Sequence, residues 1–332
     1  MNNQKILIIT HSHDNEGVNK VIECIQAAGG RAIRFNTDCY PLSLQLSTAY
    51  INNQWTILFN DGTTVHNLHD VTGVWYRRSY NLGNGLKQVL QPEFLSPAIT
   101  EAKRTLFGML EGLNCFHMER FSTYRRLDSK EEQLKVAVQN GLLIPDTCIS
   151  NDPEQVKQFL QQQTGPVITK MQHSFAIYKG QEEQVVFTNE IQPDSFAELG
   201  SLQYCPMVFQ QRIEKKLELR VTIVGEQCFA FAIDSQKNKN AQVDWRKEGD
   251  TLLHNWQPYE LPAPLQQQLL SFMDSYNINY GAIDLILTPD NKYYFLEINA
   301  AGEYFWLDVL CNNNISKQIA DVLMGKAKRR SS

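Results

Sequence analysis

The sequence predicts a mixed α/β (α+β) protein built from two or three units, and three observations carry that expectation. The chain opens on a β-α-β pattern, later segments alternate helical and extended periodicity, and two apolar strands near the C-terminus flank a short turn. With 332 residues, 42% of them hydrophobic, the chain can bury more than one core.

The opening pattern is a strand at Lys5–Thr10, an apolar-periodic helix at Val18–Ala28 closed by Gly29-Gly30, and a strand at Arg31–Asn36. The intervening loop, His11 to Gly17, lacks the G-x-G-x-x-G spacing that brings a backbone close to a pyrophosphate, which excludes a dinucleotide fingerprint. His11, His13 and Asp14 could hold a metal, but no further ligand cluster is near in sequence, so a solvated loop is favoured. Strands at Trp55–Phe59 and Gly73–Tyr76 and a helix over Ser96–Leu113 complete the first unit. Its surface candidate is Trp75-Tyr76-Arg77-Arg78, whose arginines either receive an acidic substrate or stand solvated at a strand end.

A new helix starts at Ser129, where Ser129 and Glu132 have capping-box spacing, and stops at Gly141. A helix near Pro153–Gln163 and a strand at Pro166–Met171 follow. The tail Lys326–Arg330 reads as a solvated end.

The formal charge of −5, with basic residues scattered rather than gathered, argues against a nucleic-acid partner. No stretch approaches the roughly 20 apolar residues of a spanning helix, and the first apolar run is too short for a signal-peptide core. The expected compartment is the cytoplasm, without membrane attachment. Seven widely separated cysteines, none in a C-x-x-C pair, read as reduced, mostly buried thiols.

The local signal for chemistry lies in Ala282–Leu287 and Tyr293–Asn299, which read as a hairpin around Asp290-Asn291. That tip places Asp284 directly opposite Glu297, with Asn299 two positions on along the same face. Like charges across a ladder repel, and a bound hard cation neutralises them; Mg²⁺ fits, taking its remaining ligands from water and nucleotide phosphates. The competing reading is a plain polar edge. Alternation over Glu218–Val224 puts Glu218, Arg220 and Thr222 on one face, and an arginine among strand acids points to an anion. Lys170 on its apolar strand and Lys130 in the first turn of its helix are phosphate-facing candidates, against a reading as ordinary surface lysines.

Taken in order, Lys130, Lys170, Val208-Phe209-Gln210-Gln211-Arg212-Ile213, Glu218-Leu219-Arg220, Asp284 and Glu297-Ile298-Asn299 resemble the ATP-grasp ligase superfamily over about 129–307. The resemblance implies an ATP-grasp fold divided into a pre-ATP-grasp domain (1–120), a central subdomain with a leader-binding region (121–206) and a C-terminal subdomain with the metal site (207–327). It implies ATP as co-substrate. Lys130 and Lys170 would hold its phosphates, Gln210, Gln211, Arg212 and Ile213 would meet adenine, and Glu218 would bind ribose. Asp284, Glu297 and Asn299 would hold Mg²⁺, and Arg220, with Lys170, would act on the transferred phosphoryl group. One departure is the segment 171–180, where a glycine-rich phosphate flap is expected and a single glycine is found.

At finer scale the chain resembles the ATP-grasp cyclases that make microviridins. The strings that carry this are Val74-Trp75-Tyr76-Arg77-Arg78, Phe175-Ala176-Ile177-Tyr178, Cys205-Pro206-Met207, Asp244-Trp245-Arg246-Lys247-Glu248-Gly249 and Glu297-Ile298-Asn299-Ala300-Ala301-Gly302-Glu303. The resemblance implies that an Asp or Glu side chain of a ribosomal precursor peptide is phosphorylated and then captured by a Lys amine or a Ser or Thr hydroxyl. Asn299-Ala300-Ala301-Gly302 favours the lactam branch. Arg77, Arg78 and Arg246 are the substrate candidates. A short helix over Pro193–Leu199 would present Asp194, Ser195 and Glu198 to a helical leader; a plain acidic surface is the alternative. Other readings are a ligase acting on free amino acids or a protein tail, and a nucleotide-binding regulator without turnover. The assembly state is open, with a homodimer among the options.

Overall fold

The protein was analysed as a computed structural model, which describes residues 4–172, 176–179, 182–185, 188–191, 193–237 and 254–330. The N-terminal unit contains β1 (Lys5–Thr10), α1 (Glu16–Ala27), β2 (Arg31–Asn36), β3 (Gln45–Ile51), β4 (Gln54–Asn60), β5 (Val65–Asn67), β6 (Gly73–Tyr76), α2 (Leu86–Val89), α3 (Pro92–Gly112) and β7 (Phe116–His117). Its main sheet is parallel, in the order β2-β1-β6-β7. Because both faces are covered, β1 carries no polar alternation: Ile6 and Ile8 enter one core while Leu7 and Ile9 enter another. The chain crosses from one side of β1 to the other between β2 and β6, so the carboxyl ends of β1 and β6 flank a topological switch point.

Next come α4 (Phe121–Arg126), α5 (Lys130–Gln139), β8 (Thr147–Ser150), α6 (Pro153–Gln162), β9 (Val167–Lys170), β10 (Ala176–Lys179), β11 (Glu182–Val185), β12 (Asn189–Glu190) and β13 (Met207–Gln211). Helix α5 starts where Ser129 accepts the Glu132 N–H, as the capping-box spacing requires. The strands form a sheet ordered β12-β9-β13-β8, and β10, which falls within 171–180, pairs with β11 as a separate antiparallel ribbon. A 3-10 helix spans Pro193–Tyr204.

The last unit contains β14 (Leu217–Val224), β15 (Gln227–Ile233), β16 (Gln257–Pro258), α7 (Ala263–Tyr276), β17 (Tyr280–Leu287), β18 (Tyr293–Asn299), α8 (Phe305–Asp308) and α9 (Asn314–Leu323). Its antiparallel sheet runs β16-β15-β14-β17-β18. One face, with Val221, Ile283 and Ile298, packs on α5 and α7; the other carries Arg220 and Asp284 and, at one end, packs Val224, Phe231 and Tyr280 against the N-terminal unit.

Three sequence expectations are corrected. Arg77 and Arg78 are 1% and 8% exposed, so the Trp75–Arg78 stretch is interior: two carboxylates neutralise the guanidiniums and let them be buried. The loop after β1 is exposed at Ser12, His13 and Glu16, but its Asp14 is not a solvated side chain: the carboxylate is buried between Thr10 and the two arginines. The tail is docked: Lys326 donates to Ala28 O and Arg329 to Val322 O and Leu323 O, which satisfies carbonyls at helix ends, and Arg330 donates to Leu270 O within α7. Among the described residues no helix is long and apolar enough to cross a membrane.

Candidate active site

The β17–β18 hairpin brings the two predicted carboxylates together. Asp284 pairs with Glu297, and Ala282 with Asn299. The route to that register differs from a two-residue tip. The ladder beside the turn pairs Leu287 with Tyr293 and Leu285 with Phe295, and a β-bulge between Phe295 and Glu297 shifts it by one. The bulge lets Phe295 and Ile298, three residues apart, both face the core, which strict alternation forbids. Glu297 is thereby turned to the open face beside Asp284.

Each carboxylate is met by a cation. Arg220, on the neighbouring strand β14, donates through Nη1 to Asp284 Oδ1 and Oδ2 at 2.8 and 2.9 Å. Lys130, at the first turn of α5, donates to Glu297 Oε2 at 2.7 Å. The side chains of Asp284 and Glu297 remain 32% and 29% exposed, open enough for a ligand to reach them. Asn299 Oδ1 accepts the Ala301 N–H at 2.8 Å and keeps a second lone pair. Two carboxylates and an amide oxygen are hard donors and suit Mg²⁺, a metal that keeps water rather than requiring an all-protein cage. No cluster of three or more His, Cys, Asp or Glu side chains able to hold a metal occurs among the described residues.

Glu218 lies farther along β14 and is held by Lys215 at 3.0 Å and the Ser235 hydroxyl at 2.6 Å. Gln210 is buried in β13; its Nε2 donates to Thr147 Oγ1 at 2.9 Å while its Oε1 meets no partner among the described residues. Gln211 ends β13, with its N–H on Asp146 O at 2.8 Å. Arg212 reaches Glu190 at 2.5 Å, Ile213 is buried, and the chain then passes into β14. Lys170 ends β9, opposite Val208. Asp194, Ser195 and Glu198 fall on the 3-10 helix, where only the backbone is described. Arg246 lies outside the described residues.

Sequence reasoning did not find Glu303, Asp14 and Glu119 as a set. The Glu303 carboxylate accepts from Arg77 Nη2 at 2.7 Å, from Arg78 Nη2 and from Asn15 Nδ2. Glu119 is 1% exposed, with neither carboxylate oxygen hydrogen-bonded among the described residues, and burial pushes its pKa well above the usual carboxylate range against the opposing pull of Arg77. The available signal was Asn-Ala-Ala-Gly-Glu directly after a strand of metal-type ligands. All seven cysteines are free; Cys205 is exposed, and burial pushes the Cys115 and Cys228 thiols up to about 11, away from nucleophilic character.

Residues 5–125 match the family model of the MvdD pre-ATP grasp domain, and residues 127–323 that of the RimK-like ATP-grasp domain. A search of curated proteins returned no significant match. Among solved structures, the chain is 49% identical to a Chryseobacterium gregarium RiPP-associated ATP-grasp ligase in complex with ADP and a leader and core peptide, with 99% of each chain covered and a TM-score of 0.96. Macrocyclase MdnC of Microcystis aeruginosa MRC, bound with precursor peptide MdnA, is 41% identical over 97% of this chain and 100% of that one, with a TM-score of 0.86. Macrocyclase MdnB of the same organism is 31% identical over 96% and 99%, with a TM-score of 0.81. With these matches spanning the β17–β18 hairpin, β13 and the N-terminal sheet, the chain belongs to the RimK-like ATP-grasp family and is an ATP-dependent, ADP-forming ligase.

Proposed function

We propose that the enzyme is a peptide macrocyclase, which phosphorylates an Asp or Glu side chain of a ribosomal precursor peptide and closes a lactam with a Lys amine of the same peptide. The observation that carries this reading is the charged floor of β14, β17 and β18, where Asp284 and Glu297 face each other with Arg220 and Lys130 alongside. The precursor peptides bound to the two most similar relatives described above support a peptide substrate.

A peptide carboxylate oxygen attacks the γ-phosphorus of ATP, ADP leaves, and an acyl phosphate forms on the peptide. The neutral amine then attacks the acyl carbon, inorganic phosphate leaves, and one proton is released. Arg220 and Lys170 lower the barrier by matching negative charge on the phosphoryl group in flight. Lys130 and Lys170 hold phosphates; Gln210, Gln211, Arg212 and Ile213 line the adenine position, where the unsatisfied Gln210 Oε1 suits an N–H donor. Glu218 accepts from ribose hydroxyls. Asp284, Glu297 and Asn299 would hold Mg²⁺, whose bound charge offsets that of the polyphosphate. In this scheme residues 1–120 form the pre-ATP-grasp domain, 121–206 carry the leader site with Asp194, Ser195 and Glu198, and 207–327 carry the metal site. The setting is the cytoplasm, which supplies ATP and keeps the free cysteines reduced.

The test is incubation with ATP, Mg²⁺ and a precursor peptide, read by mass spectrometry. The expected product has lost one water per ring and resists mild base. A product opened by mild base would move the assignment to the lactone branch, and an unchanged peptide mass with any candidate precursor would overturn ring closure.

A further inference from the structure

The segment Asn299–Glu303 joins the carboxylate hairpin to α8, and every peptide unit in its second half is anchored. The Ala301 N–H donates to Asn299 Oδ1 at 2.8 Å, and Ala301 O accepts from Arg77 Nη1. Gly302 O accepts from the buried Tyr280 hydroxyl at 2.6 Å, and Glu303 O accepts from Arg220 Nη2 at 3.1 Å. The segment lies so close to the sheet that a Cβ at Gly302 would stand 2.3 Å from Ala282 Cβ and 2.9 Å from Arg220 Nη2.

Arg220 is thus fixed from two sides, by the Asp284 carboxylate through Nη1 and by the Glu303 carbonyl through Nη2. The position of that carbonyl is set by the other end of the same residue. The Glu303 carboxylate is gripped by Arg77 at 2.7 Å, by Arg78 and by Asn15, all from the carboxyl ends of β6 and β1 in the N-terminal unit. The arginine side chains are 1% and 10% exposed, so they have no room to follow a displaced partner. Their charges are balanced by Asp14 and Glu303, which leaves no surplus cation for a substrate carboxylate.

We infer that Glu303 is a positioning residue that ties the N-terminal Arg77–Arg78 pair to Arg220, so that the N-terminal unit sets the orientation of the phosphoryl-facing guanidinium. The inference rests on the reading of Arg220 given above. A displacement of a fraction of an ångström at the Glu303 carbonyl releases one of the two fixings of Arg220, and misplacements of that order near reacting groups slow turnover by about 10- to 100-fold.

The experiment is a double-substitution cycle on peptide-dependent ADP release, using Glu303→Asp, Arg220→Lys and both together. Glu303→Asp keeps the charge that balances the arginines but shortens the reach by one methylene. The expected result is a thermal midpoint near that of the parent, kcat down about tenfold, and KM for ATP within about twofold. The double variant should turn over no more slowly than Arg220→Lys alone, because both changes disable the same group. Asn15→Ala, which removes one donor to the same carboxylate, should give the same pattern with a smaller loss. A parental kcat for Glu303→Asp, or losses that multiply in the double variant, would overturn the inference. Parental turnover by Arg220→Lys alone would instead overturn the reading of Arg220, and the inference with it.

Discussion

Glu119 is a desolvated carboxyl in the N-terminal unit, 1% exposed, with Arg77 as the charge that opposes its neutralisation. A raised folded-state pKa has a defined sign. Within the usual carboxylate range the unfolded chain begins to release this proton while the buried carboxyl keeps it. From there the native state binds more protons, and stability falls as pH rises toward the folded pKa. Glu119→Gln removes the titration. The variant should therefore melt with the parent near pH 4.5 and above it at pH 8, by calorimetry at both values; a gap that narrows with rising pH contradicts the assignment. At this scale the sequence was legible for Arg220 and Asp284, which strand alternation places on one face, whereas Glu297 reaches that face through the bulge. The sequence was silent on Glu303 and Glu119, because their meaning depends on Arg77, placed beside them only by tertiary packing.

The hairpin teaches a similar lesson at the scale of elements. Its strands follow from alternation, but the facing of its carboxylates is delivered by a bulge that reflects competition for the core between Phe295 and Ile298, which a turn-based count does not contain. The edge of β18 is closed by a side chain. Gln133 of α5 accepts the Ile298 N–H at 3.0 Å and donates to Ile298 O at 3.1 Å and Leu127 O at 2.5 Å, acting as one more peptide unit in the ladder. Gln133→Leu keeps the volume and strands these groups, at a cost of about 1–3 kcal/mol. The urea midpoint should fall with the slope unchanged, and an unaltered midpoint would show that the edge is satisfied in another way. The tail was misread as solvated because carbonyl acceptors at helix ends leave no trace in sequence.

For the whole molecule, the N-terminal sheet and helix α5 are each linked to the carboxylate unit by charges: Arg77 and Arg78 to Glu303, and Lys130 to Glu297. The mixed α/β class and the N-terminal β-α-β were legible in the periodicity, and Lys5–Thr10, Arg31–Asn36 and Gly73–Tyr76 appear with the expected bounds. The peptide partner was legible only through resemblance, since a recognition surface has no periodicity of its own. Reversing Asp194 and Glu198 to lysine should weaken precursor binding by about tenfold and leave ATP binding unchanged in titration calorimetry; equal affinity for the precursor would remove the leader site from this helix. The central claim is that a peptide side-chain carboxylate is activated by phosphorylation. It is tested most directly with a precursor whose reacting carboxylate carries ¹⁸O. The account predicts one ¹⁸O atom in the inorganic phosphate for each ring closed, whereas ring closure with unlabelled phosphate would contradict it.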